Sequence, residues 1–306
     1  MDLHLAKPRG FCAGVERAIE IVETALQRFG PPIYVRHEIV HNAIVVKGLR
    51  AKGAVFVEKV EEVPEGAWLV FSAHGVPPEV VEKANVKGLQ VLDATCPLVT
   101  KVHVEARAFG DKDYTILLVG HRSHVEVEGV VGEAPDHVVV VENAAEAEIV
   151  EVTDPEKVAV LTQTTLSVDE AAQTHAVLKR RFPMLVLPKK DDICYATQNR
   201  QDAVKKMAGD LDLLLVIGDP TSSNSNRLRE LGESRGVESY LVLGPEEIDP
   251  AWLEGKQSVG ITSGASTPEV SVKAVMSWLE VNGAGAVHQV EGPEEDMVFA
   301  LPQALR

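Results

Sequence analysis

The sequence predicts an α/β protein in which parallel strands are joined by crossover helices. Short runs rich in Val, Ile and Leu alternate with amphipathic stretches of about 10 to 15 residues, which is the pattern of βαβ units. Strands are predicted at residues 3–6, 33–35, 54–57, 68–71, 90–93, 115–119, 138–141, 158–161, 185–187, 213–217, 240–243 and 258–261. The clearest helices are predicted at residues 15–28, 167–181 and 268–279.

Length and charge narrow the class of protein. The chain has 306 residues, of which 45% are hydrophobic and 25% charged, as in a globular protein of two or three domains. Its 30 basic and 46 acidic residues give a formal charge of −16, and no basic stripe favours nucleic acid. The apolar runs are far shorter than the ~18 residues of a membrane span, and the first residues do not resemble a signal peptide. We expect a cytoplasmic protein that binds neither membranes nor nucleic acids.

Three cysteines divide the chain into near-equal thirds that begin alike. Cys12, Cys96 and Cys194 each follow a strand and precede a predicted helix. Pro97 directly after Cys96 suits the first position of a helix, which places Cys96 near an N-cap. The pattern predicts a threefold pseudo-repeat with three domains and a tail. The predicted bounds are 13–95, 96–193, 1–12 with 194–285, and a tail at 286–306.

The three thiols are candidate ligands of a metal centre. Their number is odd and none lies in a CxxC pair, so a disulfide framework is not expected. A helix N-terminus stabilises a thiolate, and the thiolate is the form that binds metal. If a threefold arrangement brings the sulfurs together, a tetrahedral metal or a cubane keeps one open corner, as catalytic sites do. The alternative is that each cysteine is a small buried hydrophobic residue.

Small polar residues and imidazoles follow several strands, where an open parallel sheet binds its ligand. Such clusters lie at residues 40–42, 71–75, 119–126, 161–165, 217–224 and 261–266. Their hydroxyls, amides and imidazoles, with backbone N–H groups at helix starts, can bind a phosphate without lysine. The alternative is that these residues are ordinary N-caps and turns. There is neither a P-loop nor a dinucleotide fingerprint, so ATP and NAD are disfavoured.

Glu126 is the best candidate for a general acid. It lies two residues beyond His124 at the end of an apolar strand, and a carboxyl near a metal in a closed cavity can relay protons. The alternative is a solvated glutamate in the first turn of a helix, beside Glu128.

Nine motifs in order resemble a known family. They are Pro-Arg-Gly-Phe-Cys-Ala-Gly-Val (8–15), Val-His-Asn (40–42), Ser-Ala-His-Gly-Val (72–76), Asp-Ala-Thr-Cys-Pro-Leu-Val (93–99), His-x-Glu-Val-Glu-Gly (124–129), Thr-Gln-Thr-Thr-Leu-Ser (162–167), Cys-x-Ala-Thr-x-x-Arg-Gln (194–201), Ser-Ser-Asn-Ser-Asn-Arg-Leu (222–228) and Gly-Ala-Ser-Thr-Pro-Glu (264–269). Together they resemble the 4-hydroxy-3-methylbut-2-enyl diphosphate reductases, the IspH or LytB family.

The resemblance implies a fold, a cofactor and a reaction. The fold is a trefoil of three α/β domains around one [4Fe-4S] cluster, held by Cys12, Cys96 and Cys194 with one iron left open. The reaction is the last step of the methylerythritol phosphate route to isoprenoids. Two electrons and two protons remove the allylic hydroxyl of the substrate as water and give isopentenyl or dimethylallyl diphosphate.

The resemblance also implies roles for individual residues. The diphosphate is expected to bind to His41, His74, His124, Ser222, Ser223, Asn224 and Ser266. Glu126 is expected to deliver protons, and Thr164 is expected to lie against the substrate hydroxyl. Two positions depart from the usual pattern: Val125 replaces a proline between the histidine and the glutamate, and Thr221 replaces an asparagine. The first of these relaxes the loop that orients Glu126, the residue expected to deliver protons.

Basic residues near the cysteines suggest where an electron donor docks. These residues are Lys7, Arg9, Lys101, Lys189 and Lys190. In an acidic chain they can attract an acidic ferredoxin or flavodoxin and raise its encounter rate. The alternative is that they are scattered, solvated cations.

Three other functions remain open on the sequence alone. A cluster with an open iron also serves as a Lewis acid for water elimination in a non-redox hydro-lyase. A non-enzymatic iron–sulfur sensor is a second alternative, although the polar clusters supply a ready cavity for a small ligand. A zinc protein with three thiolate ligands is the third.

Overall fold

The computed structural model describes residues 1–188 and 190–306. The helices are α1 Ala13–Phe29, α2 Ala43–Ala51, α3 Pro78–Val86, α4 Pro97–Gly110, α5 Val125–Val131, α6 Ala144–Ile149, α7 Val168–Arg181, α8 Tyr195–Met207, α9 Ser223–Ser234 and α10 Glu269–Val281. The strands are β1 Asp2–Leu5, β2 Ile33–Arg36, β3 Ala54–Val57, β4 Trp68–Phe71, β5 Gln90–Asp93, β6 Thr115–Val119, β7 Val138–Val141, β8 Val158–Thr162, β9 Leu213–Ile217, β10 Glu238–Val242, β11 Ser258–Ser263 and β12 Val287–Gln289.

The predicted strand at residues 185–187 is wrong. Only an isolated parallel bridge joins Ala159 and Val186 there. Pro183 and Pro188 flank this segment, and proline has no amide hydrogen to extend a ladder. The structure instead adds β12, which the sequence reading placed in the tail.

The first compact unit comprises Met1–Val15, His41–Val45 and Tyr195–Met297. It contains a parallel sheet of five strands in the order β10-β9-β11-β1-β12. Successive residues of β9 enter two different apolar clusters, because Leu213 and Leu215 pack on one face while Leu214 and Val216 pack on the other. A strand buried on both faces explains why this run is apolar throughout.

The second compact unit comprises Glu16–Val40, Val46–Cys194 and Val298–Arg306. It contains two parallel sheets, with strand orders β3-β2-β4-β5 and β7-β6-β8. Along β6, Leu117 and Val119 pack into one apolar cluster, whereas Ile116 and Leu118 pack into another. The α/β class with parallel sheets is therefore confirmed, while the predicted domain bounds remain a prediction.

Turns at the carboxyl ends of the strands carry the predicted site residues. His124, Ser167 and Ser222 are N-cap residues whose side chains accept a backbone N–H from the first turn of α5, α7 and α9. Such caps satisfy the free amides at a helix start and fix where the turn ends. In the part of the chain that the structure describes, no helix combines the length and the apolar character needed to cross a membrane.

Candidate active site

Each cysteine lies at the start of a helix, as the sequence predicts. Cys12 directly precedes α1, Cys96 is the N-cap residue of α4, and Cys194 directly precedes α8. All three are partly exposed, and none of them is in a disulfide bond. The positive end of the helix dipole favours a thiolate at each position.

Cys12 lies in the first unit, next to several groups that affect the charge of its sulfur. Its N–H donates to the Ala265 carbonyl at 3.1 Å. Burial raises the pKa of the Cys12 thiol, against the opposing effects of the Val15 and Gly14 amides and the Arg200 cation. These opposing groups all favour a negatively charged sulfur.

Arg200 is fully buried and ties the Cys12 loop to the C-terminal segment. Its guanidinium donates to the Gly10 carbonyl at 2.7 Å and to both carboxylate oxygens of Glu295 at 3.1 to 3.2 Å. Asn199 donates to the same carboxylate at 2.9 Å. Arg200 lies in the motif at residues 194–201, and the sequence alone gives it no role.

The donor set suits an iron–sulfur group. Three thiols at helix starts are the ligands that such clusters use. Within residues 1–188 and 190–306, no group of three His, Cys, Asp or Glu side chains is arranged to hold a single metal ion. The chemistry of the three thiols and their positions at helix starts are what fit an iron–sulfur group.

Polar side chains of the first unit form a connected group after β9 and β11. Ser266 Oγ donates to the His41 carbonyl at 2.9 Å and lies 3.5 Å from Ser222 Oγ. Asn224 Oδ1 accepts the Ala265 N–H at 3.0 Å. Four positions predicted to bind substrate thus lie together. Ser222, Asn224 and Ser266 take part through their side chains, and His41 takes part through its backbone carbonyl. Ser223 is the first residue of α9, beside this group.

Asp219 belongs to the same group and was not predicted as a site residue. Its Oδ2 accepts the Ala43 N–H at 2.8 Å, and its Oδ1 accepts the N–H and the hydroxyl of Thr221 at 2.9 and 2.7 Å. Thr221, the second departure from the family pattern, therefore has a defined partner. Asp219 was missed because its contact with Ala43 spans 176 positions in the chain.

Glu126 and Thr164 form the core of the predicted proton site in the second unit. Thr164 donates its N–H to Glu126 Oε1 at 2.6 Å and its hydroxyl to Oε2 at 2.9 Å. Glu126 is only 2% exposed, and burial raises its pKa to about 7 against the two Thr164 hydrogen bonds. The carboxyl is therefore partly protonated near neutral pH, and it is not the solvated residue of the alternative reading.

Two of the predicted histidines, His74 and His124, lie in the second unit. His124 Nδ1 accepts the Glu126 N–H at 3.1 Å, so Nε2 carries the ring proton in the neutral form. The rings of His124 and His74 are 6.0 Å apart, and His74 Nδ1 lies 3.2 Å from Ser72 Oγ. Cys194 joins the same unit by donating its N–H to the Thr164 carbonyl at 3.1 Å.

Val125 begins α5 and leaves Glu126 well anchored. The helix starts at Val125, and Thr164 binds both carboxyl oxygens of Glu126. The Glu126 carboxyl is thus held firmly although position 125 lacks the usual proline, because both of its hydrogen bonds come from Thr164.

A network of the buried His103 and Glu133 with the exposed Arg107 was also missed. His103 Nδ1 lies 2.8 Å from Glu133 Oε1, and Arg107 binds Glu133 Oε2 with two nitrogens at 2.8 and 3.0 Å. A Cβ built at Gly129 would lie 3.0 Å from the His103 ring, so this glycine makes room for the imidazole. Glu126 and Gly129 are three residues apart in α5, which places them on one helix face.

Asp192 is a second buried carboxylate near Cys194. It accepts the Thr162 N–H at 2.9 Å and pairs with Lys101 at 2.7 Å. Burial raises its pKa to about 6, although the Lys101 ammonium opposes the shift. In the sequence, Asp191 and Asp192 precede Cys194, and this pattern indicates a turn and not a buried carboxylate.

The basic residues predicted to attract an electron donor are mostly paired within the chain. Lys7 forms an ion pair with Glu294, Arg9 with Glu269, and Lys101 with Asp192. These pairs neutralise much of the charge that was expected to steer a donor. The Lys101 ammonium also binds the Lys190 carbonyl at 2.7 Å, and Lys189 lies outside the described residues.

Comparisons with known proteins give one family. The family model described as LytB protein matches residues 3–280. A relative from Aromatoleum aromaticum, named 4-hydroxy-3-methylbut-2-enyl diphosphate reductase, is 57% identical over 305 residues, covering 100% of this chain and 98% of the relative. A relative of the same name from Azoarcus is 55% identical, with the same coverage.

A solved structure gives the same result. The E-1-hydroxy-2-methyl-but-2-enyl-4-diphosphate reductase from Plasmodium falciparum is similar with a TM-score of 0.95 and 39% identity. The similarity covers 99% of this chain and 96% of that one. The sequence, the fold and the order of the motifs agree, and the chain belongs to the LytB family.

Proposed function

We propose that the chain converts (E)-4-hydroxy-3-methylbut-2-enyl diphosphate to isopentenyl and dimethylallyl diphosphate. In this reaction two electrons and two protons replace the allylic C–O bond with C–H, and the hydroxyl leaves as water. Relatives at 57% and 55% identity carry the name of this reductase. A solved relative of 31% identity is described as the terminal enzyme of the non-mevalonate pathway.

The observation that carries the proposal is the buried Glu126 held by Thr164. A carboxyl with a pKa of about 7 holds its proton at neutral pH and can still release it, as general acid catalysis requires. We assign Glu126 as the proton donor to the leaving hydroxyl. In this proposal the Thr164 hydroxyl, which donates to Glu126 Oε2 at 2.9 Å, also contacts the substrate hydroxyl.

The cofactor in this proposal is a [4Fe-4S] cluster held by Cys12, Cys96 and Cys194. Members of the LytB family are iron–sulfur enzymes. When bound, the cluster supplies the electrons and an open iron for the substrate oxygen. The residues of the chain hold it through three thiolates at helix starts, and near Cys12 the buried Arg200 offsets negative charge.

The diphosphate in this proposal binds to hydroxyl, amide and imidazole groups. Ser222, Asn224 and Ser266 already form one hydrogen-bonded group with the His41 loop. Ser223 contributes the first residue of α9, whose N-terminus favours an anion. We also assign His74 and His124 to phosphate binding, because their rings lie 6.0 Å apart and His124 caps the helix that carries Glu126.

The donor in this proposal is a ferredoxin or flavodoxin, and the compartment is the cytoplasm. The reaction needs two electrons from outside the chain, and low-potential iron–sulfur or flavin proteins supply such electrons. Three cysteines outside any disulfide fit a reducing compartment.

The test is substrate-dependent oxidation of a chemically reduced viologen by anaerobically reconstituted protein. We expect about four iron atoms per chain and oxidation that disappears in Cys96→Ser. No oxidation in a sample that retains its iron would overturn the reductase. Conversion of the substrate without any reductant would favour the hydro-lyase instead.

A further inference from the structure

Asp219 lies at the carboxyl end of β9, between two segments that carry predicted anion-binding residues. The residue is 6% exposed, and its two oxygens accept three hydrogen bonds. One bond comes from Ala43, in the loop of His41, and two come from Thr221, which precedes Ser222. A single carboxylate therefore joins the His41 loop to the Ser222 turn.

The His41 loop is held from two sides. Asp219 accepts the N–H of Ala43 at 2.8 Å, and Ser266 donates to the carbonyl of His41 at 2.9 Å. Asn42 caps α2 by accepting the N–H groups of Ile44 and Val45. The first amides of α2 are thereby all engaged by side chains, so this loop has little freedom to move independently of the Ser222 turn.

Asp219 is also a fixed negative charge near a site that we assign to an anion. Burial alone would raise its pKa, but the Thr221 and Ala43 hydrogen bonds and the positive charge of His41 hold the pKa below the ordinary value. An unpaired carboxylate would repel a diphosphate. Here its oxygens accept three hydrogen bonds, and it is influenced by the positive charge of His41, a residue that we expect to bind phosphate.

We propose that Asp219 is a positioning residue of the diphosphate site, which ties the His41 loop to the Ser222 turn and supplies a countercharge to His41. This inference rests on the proposed function, because it takes the diphosphate as the ligand. Asp219 itself does not touch the substrate; it acts through His41 and Ser222. Thr221 takes part through its hydroxyl, which donates to Asp219 at 2.7 Å.

The chain offers a matched control for Asp219. Asp212 directly precedes β9, at the opposite end of the same strand, and accepts the N–H groups of Gln257 and Ser258 at 2.8 and 3.0 Å. Hydrogen bonds from these two amides lower its pKa as well. Asp212→Asn therefore repeats the chemical change of Asp219→Asn away from the carboxyl ends of the strands.

The experiment compares Asp219→Asn, Thr221→Val and Asp212→Asn in the reconstituted holoenzyme. Steady-state kinetics with reduced viologen give KM and kcat, and calorimetry with inorganic diphosphate gives a Kd. We expect Asp219→Asn to raise KM and Kd by roughly tenfold, the effect of losing one charge-assisted hydrogen bond, with kcat within about twofold. Thr221→Val should raise both by about threefold, and Asp212→Asn should change neither.

Several results would overturn the inference. Unchanged KM and Kd in Asp219→Asn would remove any role in anion binding. Equal losses in Asp219→Asn and Asp212→Asn would reduce the effect to general destabilisation, which the unfolding temperature measures in parallel. If Asp219→Asn does not fold, an unchanged Kd for diphosphate in Thr221→Val overturns the inference. Failure of the proposed function is distinct, because the unsubstituted enzyme itself would then neither reduce the substrate nor bind diphosphate.

Discussion

Glu126 and Asp219 are two buried carboxylates with nearly the same local donors and opposite pKa shifts. Glu126 accepts the N–H and the hydroxyl of Thr164 at 2.6 and 2.9 Å. Asp219 accepts the N–H and the hydroxyl of Thr221 at 2.9 and 2.7 Å. Burial nevertheless raises the pKa of Glu126 to about 7, whereas the pKa of Asp219 lies below its ordinary value.

The surroundings beyond the threonine explain the difference. Asp219 has a third donor, the Ala43 N–H, and faces the positive charge of His41. Glu126 is more deeply buried, and the negative Asp192 adds to the effect of burial. The hydrogen bonds from a threonine turn therefore hold a carboxyl in place but do not determine whether it is ionised. One of these carboxyls is suited to donate protons, and the other is suited to remain a permanent anion.

The largest expected effect is on catalysis by Glu126. Glu126→Gln keeps the size of the side chain but removes the acidic proton, so kcat should fall by roughly 10²- to 10⁴-fold. The measurement is substrate-dependent viologen oxidation at a fixed iron content. Glu128→Gln, on the exposed part of α5, is the control and should retain wild-type kcat. A loss below about threefold in Glu126→Gln would assign the proton to another group.

The second prediction is that stability changes in opposite directions at the two carboxylates. The pKa of Glu126 is 4.5 in the unfolded chain and about 7 in the folded protein. The folded protein therefore loses stability as the pH rises between these two values. Glu126→Gln should therefore stabilise the protein at pH 8, by at most about 3 kcal/mol. The pKa of Asp219 is lowered, so its ionised form contributes stability at pH 8, and Asp219→Asn should destabilise.

Unfolding temperatures of both variants at pH 5.5 and pH 8 check these signs. The gain from Glu126→Gln should shrink at pH 5.5, because part of the ionisation cost is absent there. The loss from Asp219→Asn should be similar at both pH values, because Asp219 stays ionised at each. Two variants that shift in the same direction at pH 8 would contradict the comparison.

The third prediction concerns the anchor of Glu126. Thr164→Val removes the hydroxyl bond that opposes the rise in the Glu126 pKa, so the carboxyl should hold its proton to higher pH. For an acid that must be protonated, the alkaline decline of kcat should move upward. We also expect kcat to drop by about tenfold because the contact with the substrate hydroxyl is lost. A pH profile of kcat that keeps its alkaline midpoint would show that Thr164 does not tune Glu126.

The smallest expected effect comes from His103. Its positive charge opposes the rise in the Glu126 pKa, and it is anchored by Glu133. His103→Gln should move the alkaline decline of kcat upward by roughly a few tenths of a pH unit. His288→Gln, an exposed histidine beside Asp2, is the control and should leave the profile unchanged. A downward shift in His103→Gln would reverse the sign of this interaction.

The sequence predicted the fold well where local pattern decides the structure. The strands β4, β6 and β9 have the predicted bounds because each is a continuous apolar run that is largely buried. In contrast, β12 is exposed at all three residues, so no apolar pattern marks it. Pairing with β1 alone defines this strand, and such pairing cannot be read from local composition.

The site was predictable to the extent that its residues share a local setting. Cys12 and Cys96 were found because each lies between a strand and a helix, Cys194 because it lies at the start of α8, and Glu126 because it follows His124 after β6. Asp219 and His103 were not assigned, since their roles depend on Ala43 and Glu133, which are distant in the chain. The assignments of individual residues to substrate and cluster stay predictions.

The order of synthesis has a consequence for how the Cys12 loop matures. The first strand, β1, pairs with β11 and β12, and Leu5 accepts a hydrogen bond from Gln289, 284 positions later. At about 5 to 20 residues per second, a ribosome needs roughly 15 to 60 s to reach that point. The Glu295 partner of Arg200 emerges later still. The Cys12 loop should therefore reach its final packing only after the C-terminal segment has been synthesised, and C-terminal truncations before Glu295 should leave Arg200 without this partner.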